Sequence, residues 1–346
     1  MMIRKTWAGL LTLGLIAAFA ATGCKDDKPG TPGGKSKLLV ASYGPTRELY
    51  KKVVPAFVDH YKKSTGNDVE IEMSHGPSGT QSQKIQGGYK ADVAALSVDF
   101  DIDQIAKKGL LPADWRTKFP HDSSPYTSAV VFLVRKGNPK GIKDWPDLAK
   151  DGLRLAAPNP KTGGGARWIY LAAWGSVIKS GGDEAKARAF TQKVYKQTQL
   201  DGEMRGSTQR FLKESDIDVL YGWENEILQL MNDPQAPENK DKYEVVVPSS
   251  SIVIEVPIAV VDKYADERGT RAAAEALVKF MFAPEGQTLA AEHFNRPQDP
   301  AVMAKFADRY PKLSTYRLKD VFGDWDAVMA KYFANGAIFD QQLEGK

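Results

Sequence analysis

A glycine-rich turn between a predicted strand and a predicted helix is the feature that most constrains the fold of this chain. The turn, Asn-Pro-Lys-Thr-Gly-Gly-Gly-Ala-Arg-Trp at residues 159–168, joins an apolar run at 153–157 to an apolar-rich segment at 168–178. Glycines let the backbone approach a ligand closely, and a helix start presents N–H groups to an anion. The turn lacks the Lys-Ser or Lys-Thr end of a P-loop and the Gly-x-Gly-x-x-Gly of a dinucleotide site. It therefore favours a small anion over a nucleotide, with a plain connecting loop as the alternative.

The same order of strand, small-residue turn and helix recurs along the chain. The further turns are Gly44-Pro45-Thr46, Ser78-Gly79-Thr80, Gly206-Ser207-Thr208 and Gly222-Trp223. Alternating strands and helices predict α/β sheets, in which ligands bind beyond the carboxyl ends of the strands. If several ends face one cleft, each helix start contributes about 0.3–1 kcal/mol through its dipole, and each hydrogen bond to the anion about 1.5–3 kcal/mol. Any one of these turns is more simply an ordinary connection, so the prediction depends on their convergence.

Length and charge limit the domain count and the class of partner. With 346 residues, the chain is long enough for about two domains. The pattern predicts two α/β lobes, with the apolar strands near Thr127 and Val253 as crossings between them. The formal net charge is +4 and no basic tail or charged block occurs, which argues against a nucleic-acid partner. His60, His121 and His293 are scattered without metal-ligand spacing, so we expect neither a metal nor a cofactor.

The N-terminal residues predict export and a lipid anchor. An apolar stretch at 10–20 follows two basic residues and ends in Ala21-Thr22-Gly23-Cys24. Cys24 is the only cysteine, and its setting resembles the lipobox of bacterial lipoproteins, although Ala21 stands where that family favours Leu. The resemblance implies a signal peptide at 1–23 and a diacylglycerol on Cys24, followed by a flexible tether at 24–37. The expected location is periplasmic or extracytoplasmic, and a secretory signal with an unrelated cysteine is the alternative.

Several longer motifs, taken in order, carry a resemblance to a known family. They are Ser42-Tyr43-Gly44-Pro45-Thr46-Arg47-Glu48-Leu49-Tyr50, Ser74-His75-Gly76-Pro77-Ser78-Gly79, residues 125–140, Gly164-Gly165-Ala166-Arg167-Trp168, Arg205-Gly206-Ser207-Thr208, Trp223-Glu224-Asn225-Glu226, Phe294-Asn295-Arg296-Pro297 and Phe333-Ala334-Asn335-Gly336. Together they resemble the periplasmic sulfate-binding proteins of ATP-binding cassette importers. The resemblance runs from about Leu38 to near the C-terminus, and so many motifs in order make it specific.

The resemblance implies a fold and a function, which we take as expectations. The fold is the two-lobed type II periplasmic binding protein fold, α/β in class, which closes like a hinge on an unprotonated oxyanion. The implied lobes are residues 38–125 with 252–300, and residues 126–251 with 301–346. The implied function is capture of sulfate or thiosulfate by a monomer without enzymatic activity. That monomer would deliver the anion to the membrane permease of the importer.

The resemblance also implies which residues hold the anion. The ligand positions are Gly44, Ser78, Gly163, Gly164, Gly165, Met204 and Trp223, and the supporting arginines are Arg167 and Arg205. Ser78 would give its hydroxyl and Trp223 its indole N–H, whereas Gly44, Gly164, Gly165 and Met204 would give backbone N–H groups. Gly44 stands where the family has Asp and Met204 where it usually has Ala, and both keep the backbone donor. Gly163 stands where a serine hydroxyl often donates, so we expect one hydrogen bond to be lost there.

Protonation separates the candidate ligands. Sulfate is fully ionised at neutral pH, whereas phosphate keeps a proton and needs an acceptor, usually a carboxylate. Donor-only ligands favour sulfate or thiosulfate, with another tetrahedral oxyanion such as molybdate or phosphate as the alternative. Glu203 and Glu224 lie beside ligand positions, and we expect them to be solvated or salt-bridged. A hydrolase that uses Ser78 and His75 is a less favoured interpretation, because no Gly-x-Ser-x-Gly motif surrounds the serine.

Overall fold

Four sheets organise residues 35–344, the part of the chain that this computed structural model describes. The strands are β1 (Lys35–Tyr43), β2 (Asp68–Gly76), β3 (Val93–Ala95), β4 (Tyr126–Ser128), β5 (Val130–Arg135), β6 (Leu155–Pro158), β7 (Thr198–Asp201), β8 (Val219–Trp223), β9 (Tyr243–Val246), β10 (Ser250–Ile252), β11 (Ile254–Val256), β12 (Ile258–Val260), β13 (Arg296–Pro297) and β14 (Ser314–Tyr316). The α-helices are α1 (Arg47–Thr65), α2 (Ser78–Gln86), α3 (Asp99–Lys107), α4 (Pro120–Ser123), α5 (Gly164–Lys179), α6 (Glu184–Lys196), α7 (Met204–Lys213), α8 (Glu224–Met231), α9 (Asn239–Lys242), α10 (Asp262–Glu267), α11 (Arg271–Phe282), α12 (Pro284–Glu292), α13 (Pro300–Lys305), α14 (Trp325–Val328) and α15 (Ile338–Leu343). Short 3-10 helices cover Gly44–Thr46, Trp115–Lys118, Trp145–Ala149, Ala307–Arg309 and Leu318–Asp320, and a π-helix covers Met329–Phe333.

The first large sheet has the strand order β12-β3-β1-β2. β1 runs parallel to β2 and β3, whereas β12 is antiparallel to β3. Leu38 and Val40 of β1 are fully buried, as the apolar run of this strand requires. β1 begins at Lys35, so the residues at 35–37, which we expected in the tether, pair with β2 instead. Lys37 also forms an ion pair with Glu72 of β2 at 2.9 Å, but both side chains are exposed, so the backbone pairing with β2 accounts for the earlier start.

The second large sheet has the strand order β7-β6-β8-β5-β9. β6 runs parallel to β7 and β8, and β5 runs antiparallel to β8 and β9. β5 is apolar at successive positions because helices cover both of its faces. Phe132 packs in the same cluster as Trp168 of α5, whereas Leu133 packs in a second cluster with Phe211 of α7 and Ile227 of α8. The continuous apolar run in the sequence is thus explained by two-sided burial.

Short strands lead the chain from one large sheet to the other. β4 pairs with β11 and β13 in a three-stranded antiparallel sheet, with Thr127 opposite Glu255. β4 directly precedes β5 of the second sheet, and β11 directly precedes β12 of the first. The chain therefore passes between the large sheets near Thr127 and Val253. The lobe boundaries that we expected at 125–126, 251–252 and 300–301 stay a prediction.

The expected signal peptide, Cys24 and most of the tether lie outside the described residues. Between residues 35 and 344, the structure contains no helix of the length and apolar character needed to cross a membrane. Within the same residues, His, Asp and Glu side chains form no cluster of three or more with the arrangement of a metal site. Four tryptophans pack in the interior: Trp145, Trp168, Trp174 and Trp325.

Candidate functional site

Residues that follow strands of both large sheets line one cavity of about 500 Å³. All seven expected ligand residues are in its lining: Gly44, Ser78, Gly163, Gly164, Gly165, Met204 and Trp223. Gly44 and Ser78 come shortly after β1 and β2 of the first sheet, whereas the other five lie at or just beyond the ends of β6, β7 and β8 in the second. Carboxyl ends of parallel strands therefore bring these turns together, as expected for an α/β fold.

The helices that begin at this cavity carry no side-chain caps. Pro77, Gly163, Glu203 and Trp223 are the N-cap residues of α2, α5, α7 and α8, and none accepts a hydrogen bond through its side chain from the first turn. Elsewhere, Asp183 caps α6 in the usual way. The starts of α2, α5 and α7 leave first-turn N–H groups and positive dipole ends facing one space, whereas the first N–H groups of α8 donate to the Ala129 carbonyl and the Ser128 hydroxyl. This arrangement suits a small anion.

Glycines at the start of α5 allow the two sides of the cavity to touch. A Cβ atom built on Gly164 would lie 2.9 Å from Ser97 Oγ and 3.2 Å from Asp101 Oδ2, both on the side of the first sheet. A Cβ built on Gly165 would lie 3.2 Å from the Trp223 ring. Larger residues would force these walls apart, so the glycines serve close approach rather than turn geometry alone.

The Ser78 hydroxyl is bound within the protein. It donates to Asp101 Oδ2 at 2.5 Å and accepts from the Ser97 backbone N–H at 3.1 Å. Burial raises the pKa of the Asp101 carboxyl, while the Arg167 guanidinium and the Ser78 hydrogen bond act in the opposite direction. To donate to an anion, the Ser78 hydroxyl must turn away from Asp101, because a hydroxyl has one hydrogen.

Arg167 lies behind the glycine turn and Arg205 lies at the cavity. Arg167 Nε donates to the Pro160 carbonyl at 3.3 Å, and burial lowers the pKa of its guanidinium although Asp101 acts to raise it. Arg205 is exposed and contributes to the cavity lining. Arg167 thus contacts the loop before α5. The expected supporting role of both arginines stays a prediction.

Trp223 stands at the junction of the two sides. Its indole Nε1 donates to the Gly165 carbonyl at 2.9 Å, and its ring lies 5.7 Å from that of Tyr43, which ends β1. The ring is 2% exposed, so the indole is fixed in orientation. An anion in the cavity would share or replace the carbonyl as the acceptor of this N–H.

Carboxylates near the cavity differ in their partners. Glu224 forms a bidentate ion pair with Arg296 at 2.6 and 2.7 Å, which confirms the expected salt bridge, whereas its full burial departs from the usual exposure of glutamate. Glu203 is exposed, as expected, and lines the cavity. Glu226 also lines the cavity, and burial, with repulsion from Glu203, raises its pKa to about 8. At neutral pH the Glu226 carboxyl is therefore mainly a neutral acid.

The two residues of the hydrolase alternative have different partners. His75 Nδ1 lies 2.7 Å from Ser42 Oγ, whereas the Ser78 hydroxyl is bound to Asp101. Burial lowers the pKa of His75, followed by repulsion from Arg47. Ser42 is fully buried, so its pairing with His75 is a contact of the interior rather than an exposed nucleophile and base.

The sequence did not reveal Ser97, which lines the cavity, or Asp101, which lies beside it and binds Ser78. Ser97 follows β3, Asp101 lies in the first turn of α3, and both come next to Gly164 only through tertiary packing against α2 and α5. Neither residue lies in a small-residue turn between a strand and a helix, which was the pattern that indicated the expected ligand residues. Their only local signal was a Ser and an Asp just beyond the end of a buried strand.

Comparisons with known proteins agree with this geometry. The profile of the family described as bacterial extracellular solute-binding protein matches residues 38–295. A sulfate-binding protein of Salmonella typhimurium is 46% identical over 307 residues, which cover 88% of this chain and 92% of that protein. A thiosulfate-binding protein of Pseudomonas aeruginosa is 44% identical over 334 residues, covering 96% and 98%. The solved structure of a sulfate-binding protein from Mycobacterium tuberculosis superposes with a TM-score of 0.75 at 30% identity, covering 86% of this chain and 100% of that one.

Proposed function

The chain belongs to the family of bacterial extracellular solute-binding proteins, and from this premise we propose that it captures sulfate or thiosulfate between its lobes. The observation that carries the proposal is the convergence of three helix starts without side-chain caps, those of α2, α5 and α7, on one cavity. Backbone donors at Gly44, Gly164, Gly165 and Met204 would hold the anion, completed by Ser78 and Trp223, whereas the Gly163 N–H donates to the Asn159 carbonyl. The relatives whose names mention sulfate and thiosulfate support the same ligand class.

The supply of acceptors favours an unprotonated oxyanion over phosphate. Hydrogen phosphate must donate its proton, which requires a carboxylate with a free lone pair beside the donors. Glu224 is paired with Arg296, Asp101 holds the Ser78 hydroxyl through Oδ2, and the third nearby carboxylate, Glu203, is exposed to solvent. Glu226 is largely protonated at neutral pH, so its carboxyl carries no negative charge there. We therefore expect sulfate and thiosulfate to bind well and phosphate weakly, with molybdate as the other candidate oxyanion.

Calorimetry on the chain that begins at Lys35 tests the proposal. Sulfate, thiosulfate, molybdate and phosphate are titrated separately at neutral pH into dialysed protein. We expect saturable one-to-one binding of sulfate or thiosulfate and at least tenfold weaker binding of phosphate, since one unpaired buried acceptor or donor costs about 1.4 kcal/mol or more. Phosphate binding as tight as that of sulfate, or no binding of any of the four anions, would contradict the proposal.

We further propose that the protein works outside the cytoplasm as a monomer held to a membrane by a lipid on Cys24. It would deliver its anion to the permease of an ATP-binding cassette importer and carry out no catalysis. The arrangement of small residues before the lone cysteine, and the tether after it, supports the anchor.

Cys24→Ser tests the anchor. Because the thiol is the attachment point of the lipid, the variant should move from the membrane fraction into the soluble fraction, while the native chain leaves the membrane only in detergent. Fractionation after a high-salt wash, followed by immunoblotting, measures this distribution. A Cys24→Ser protein that still sediments with membranes would rule out the lipid as the anchor.

A further inference from the structure

We propose that the Ser97 hydroxyl is an additional ligand of the anion, donated from the side of the first sheet. The inference rests on the proposed function, because it names a further residue of the same site. Ser97 follows β3 and lines the cavity. Its hydroxyl would face the backbone donors that α5 supplies from the side of the second sheet.

The Ser97 hydroxyl is buried without a hydrogen-bond partner among the described residues. The residue is 1% exposed, and its Oγ meets no donor or acceptor. Its backbone is engaged on both sides: the N–H donates to Ser78 Oγ at 3.1 Å, and the carbonyl accepts the Trp168 indole at 2.8 Å. The residue is therefore held in place while one polar group remains unsatisfied. Such groups are costly and rare in folded proteins, and an anion oxygen would satisfy this one.

The position of the hydroxyl matches that of the expected anion. Ser97 Oγ lies 2.9 Å from the point where a Cβ atom of Gly164 would be, that is, directly against the first residue of α5. An anion held by the first-turn N–H groups of α5 would lie beside this oxygen. Ser78 is its neighbour through the Ser97 N–H, so the two hydroxyls would contact the anion from the same side.

Across the cavity, the turn before α5 has room for a hydroxyl that this sequence does not supply. Gly163 has φ −113° and ψ 120°, a conformation open to any residue. A Cβ built there would meet its nearest atoms at 3.6–3.7 Å, which are ordinary contacts. Ser97 thus provides, from one side of the cavity, a hydroxyl donor that a serine at position 163 could provide from the other side. This predicts that the hydroxyl can be moved between the two positions.

The test compares Ser97→Ala, the double variant Ser97→Ala/Gly163→Ser and a control, Ser176→Ala, with the native chain. Ser176 is also buried, but it donates to the Ala173 carbonyl within α5 and does not line the cavity. Calorimetry with sulfate and thiosulfate gives the affinities, and thermal unfolding without ligand gives stability. We expect Ser97→Ala to weaken binding about tenfold or more, the double variant to regain most of that loss, and the control to bind like the native chain.

Ser97→Ala should leave ligand-free stability unchanged or raise it, because it removes an unsatisfied polar group. This separates loss of a ligand contact from loss of folding. Native-like anion affinity in Ser97→Ala would overturn the inference while leaving the proposed function intact. If the native chain bound neither sulfate nor thiosulfate, the proposed function would fail and this inference with it. Weakened binding in Ser97→Ala without rescue by Gly163→Ser would also contradict the inference, because the loss would then not be that of a transferable hydroxyl.

Discussion

Trp223 and Ser78 both donate within the protein, so binding an anion exchanges one acceptor for another. Trp223 gives its indole N–H to the Gly165 carbonyl, and Ser78 gives its hydroxyl to Asp101. The new acceptor is charged, and hydrogen bonds to charged groups are worth about 1.5–3 kcal/mol, against about 0.5–1.5 kcal/mol for a typical neutral one. Ser78 gives up a hydrogen bond to a carboxylate, whereas Trp223 gives up one to a neutral carbonyl. The net binding free energy gained from Ser78 should therefore be the smaller of the two.

Trp223→Phe keeps most of the ring and removes the donor. We expect sulfate affinity to fall roughly ten- to a hundred-fold, because one oxygen of a buried dianion loses its partner. Ser78→Ala should weaken binding less, for the reason given above. Trp145→Phe is the control, since Trp145 also donates to a backbone carbonyl, that of Ser250 at 2.7 Å, away from the cavity. Calorimetry on the three variants measures the effect, and native-like affinity in Trp223→Phe and Ser78→Ala would refute these two ligands.

Glu226 predicts how binding depends on pH. Its pKa is raised to about 8 by burial and then by Glu203, so the carboxyl is neutral below that pH and negative above it. Sulfate affinity should stay flat between about pH 5 and 7 and then fall by up to about tenfold per pH unit above 8, where the new charge repels the anion. Native stability should also fall as the pH rises from 4.5, the ordinary glutamate value, through about 8, because the folded protein holds a proton that the unfolded chain releases.

Glu226→Gln should remove the alkaline fall in affinity and flatten the stability slope, because an amide of similar shape does not titrate. Glu255→Gln is the matched control: burial also raises the pKa of Glu255, but this residue lies in β11 outside the cavity lining. Affinities from about pH 5 to 9.5 and urea unfolding at the same pH values measure both effects. If sulfate affinity still falls at alkaline pH in Glu226→Gln, another titrating group is responsible.

At the scale of the elements, α7 packs closely against β8 because a large side chain of α7 lies over a glycine of β8. Met204 is the first residue of α7 and is 7% exposed. Its thioether occupies the space over Gly222 of β8, where an added Cβ would lie 2.1 Å from Met204 Cε and 2.6 Å from Sδ. The large Met204 side chain fits at the start of α7 because Gly222 of β8 has no side chain at this position. The backbone N–H that Met204 is expected to offer thereby stays at the lining.

Gly222→Ala should destabilise the protein by about 1–3 kcal/mol through overpacking, because Met204 or β8 must move. Met204→Ala removes both clashing atoms, so adding it to Gly222→Ala should restore stability to that of Met204→Ala alone. Urea unfolding of the native chain, both single variants and the double variant gives the coupling free energy. Additive effects of the two substitutions would mean that the side chains do not share this space.

Local patterns in the sequence indicated the alternation of strands and helices and the turns between them, but not every boundary and not all of the cavity wall. The glycine turn, the apolar run of β5 and the turns at Gly44 and Ser78 are signals of adjacent residues, and the structure places these turns at one cavity. The Ser97 hydroxyl and the Met204–Gly222 contact depend on atoms that are distant in sequence and meet only after folding. The early start of β1 has the same origin, because residues 35–37 are ordered by pairing with β2.

At the scale of the whole molecule, polar contacts join the two sides of the cavity, and they would favour its closed form if the lobes move. The Trp168 indole, in α5 beside the second sheet, donates to the Ser97 carbonyl, which follows β3 of the first. Lys107 of α3 and Asp326 of α14 form a further ion pair at 2.9 Å, but both side chains are exposed, so this pair contributes little. Of these two contacts, the buried Trp168 hydrogen bond is therefore the stronger.

Trp168→Phe tests whether closure and affinity are linked. If the anion binds the closed form, the observed affinity falls in proportion to the closed fraction of the ligand-free protein. Loss of one hydrogen bond, worth about 0.5–1.5 kcal/mol, should weaken sulfate binding roughly two- to tenfold and enlarge the radius of gyration of the ligand-free variant. Saturating sulfate should return Trp168→Phe to the native radius, because the ligand then supplies the closing free energy.

Trp115→Phe is the control: it loses an indole hydrogen bond to Asp103 within one side of the molecule and should change neither the sulfate affinity nor the radius of gyration. Small-angle scattering with and without sulfate, together with calorimetry, measures both, and a Trp168→Phe protein with the native radius and native affinity would show that this hydrogen bond does not control closure.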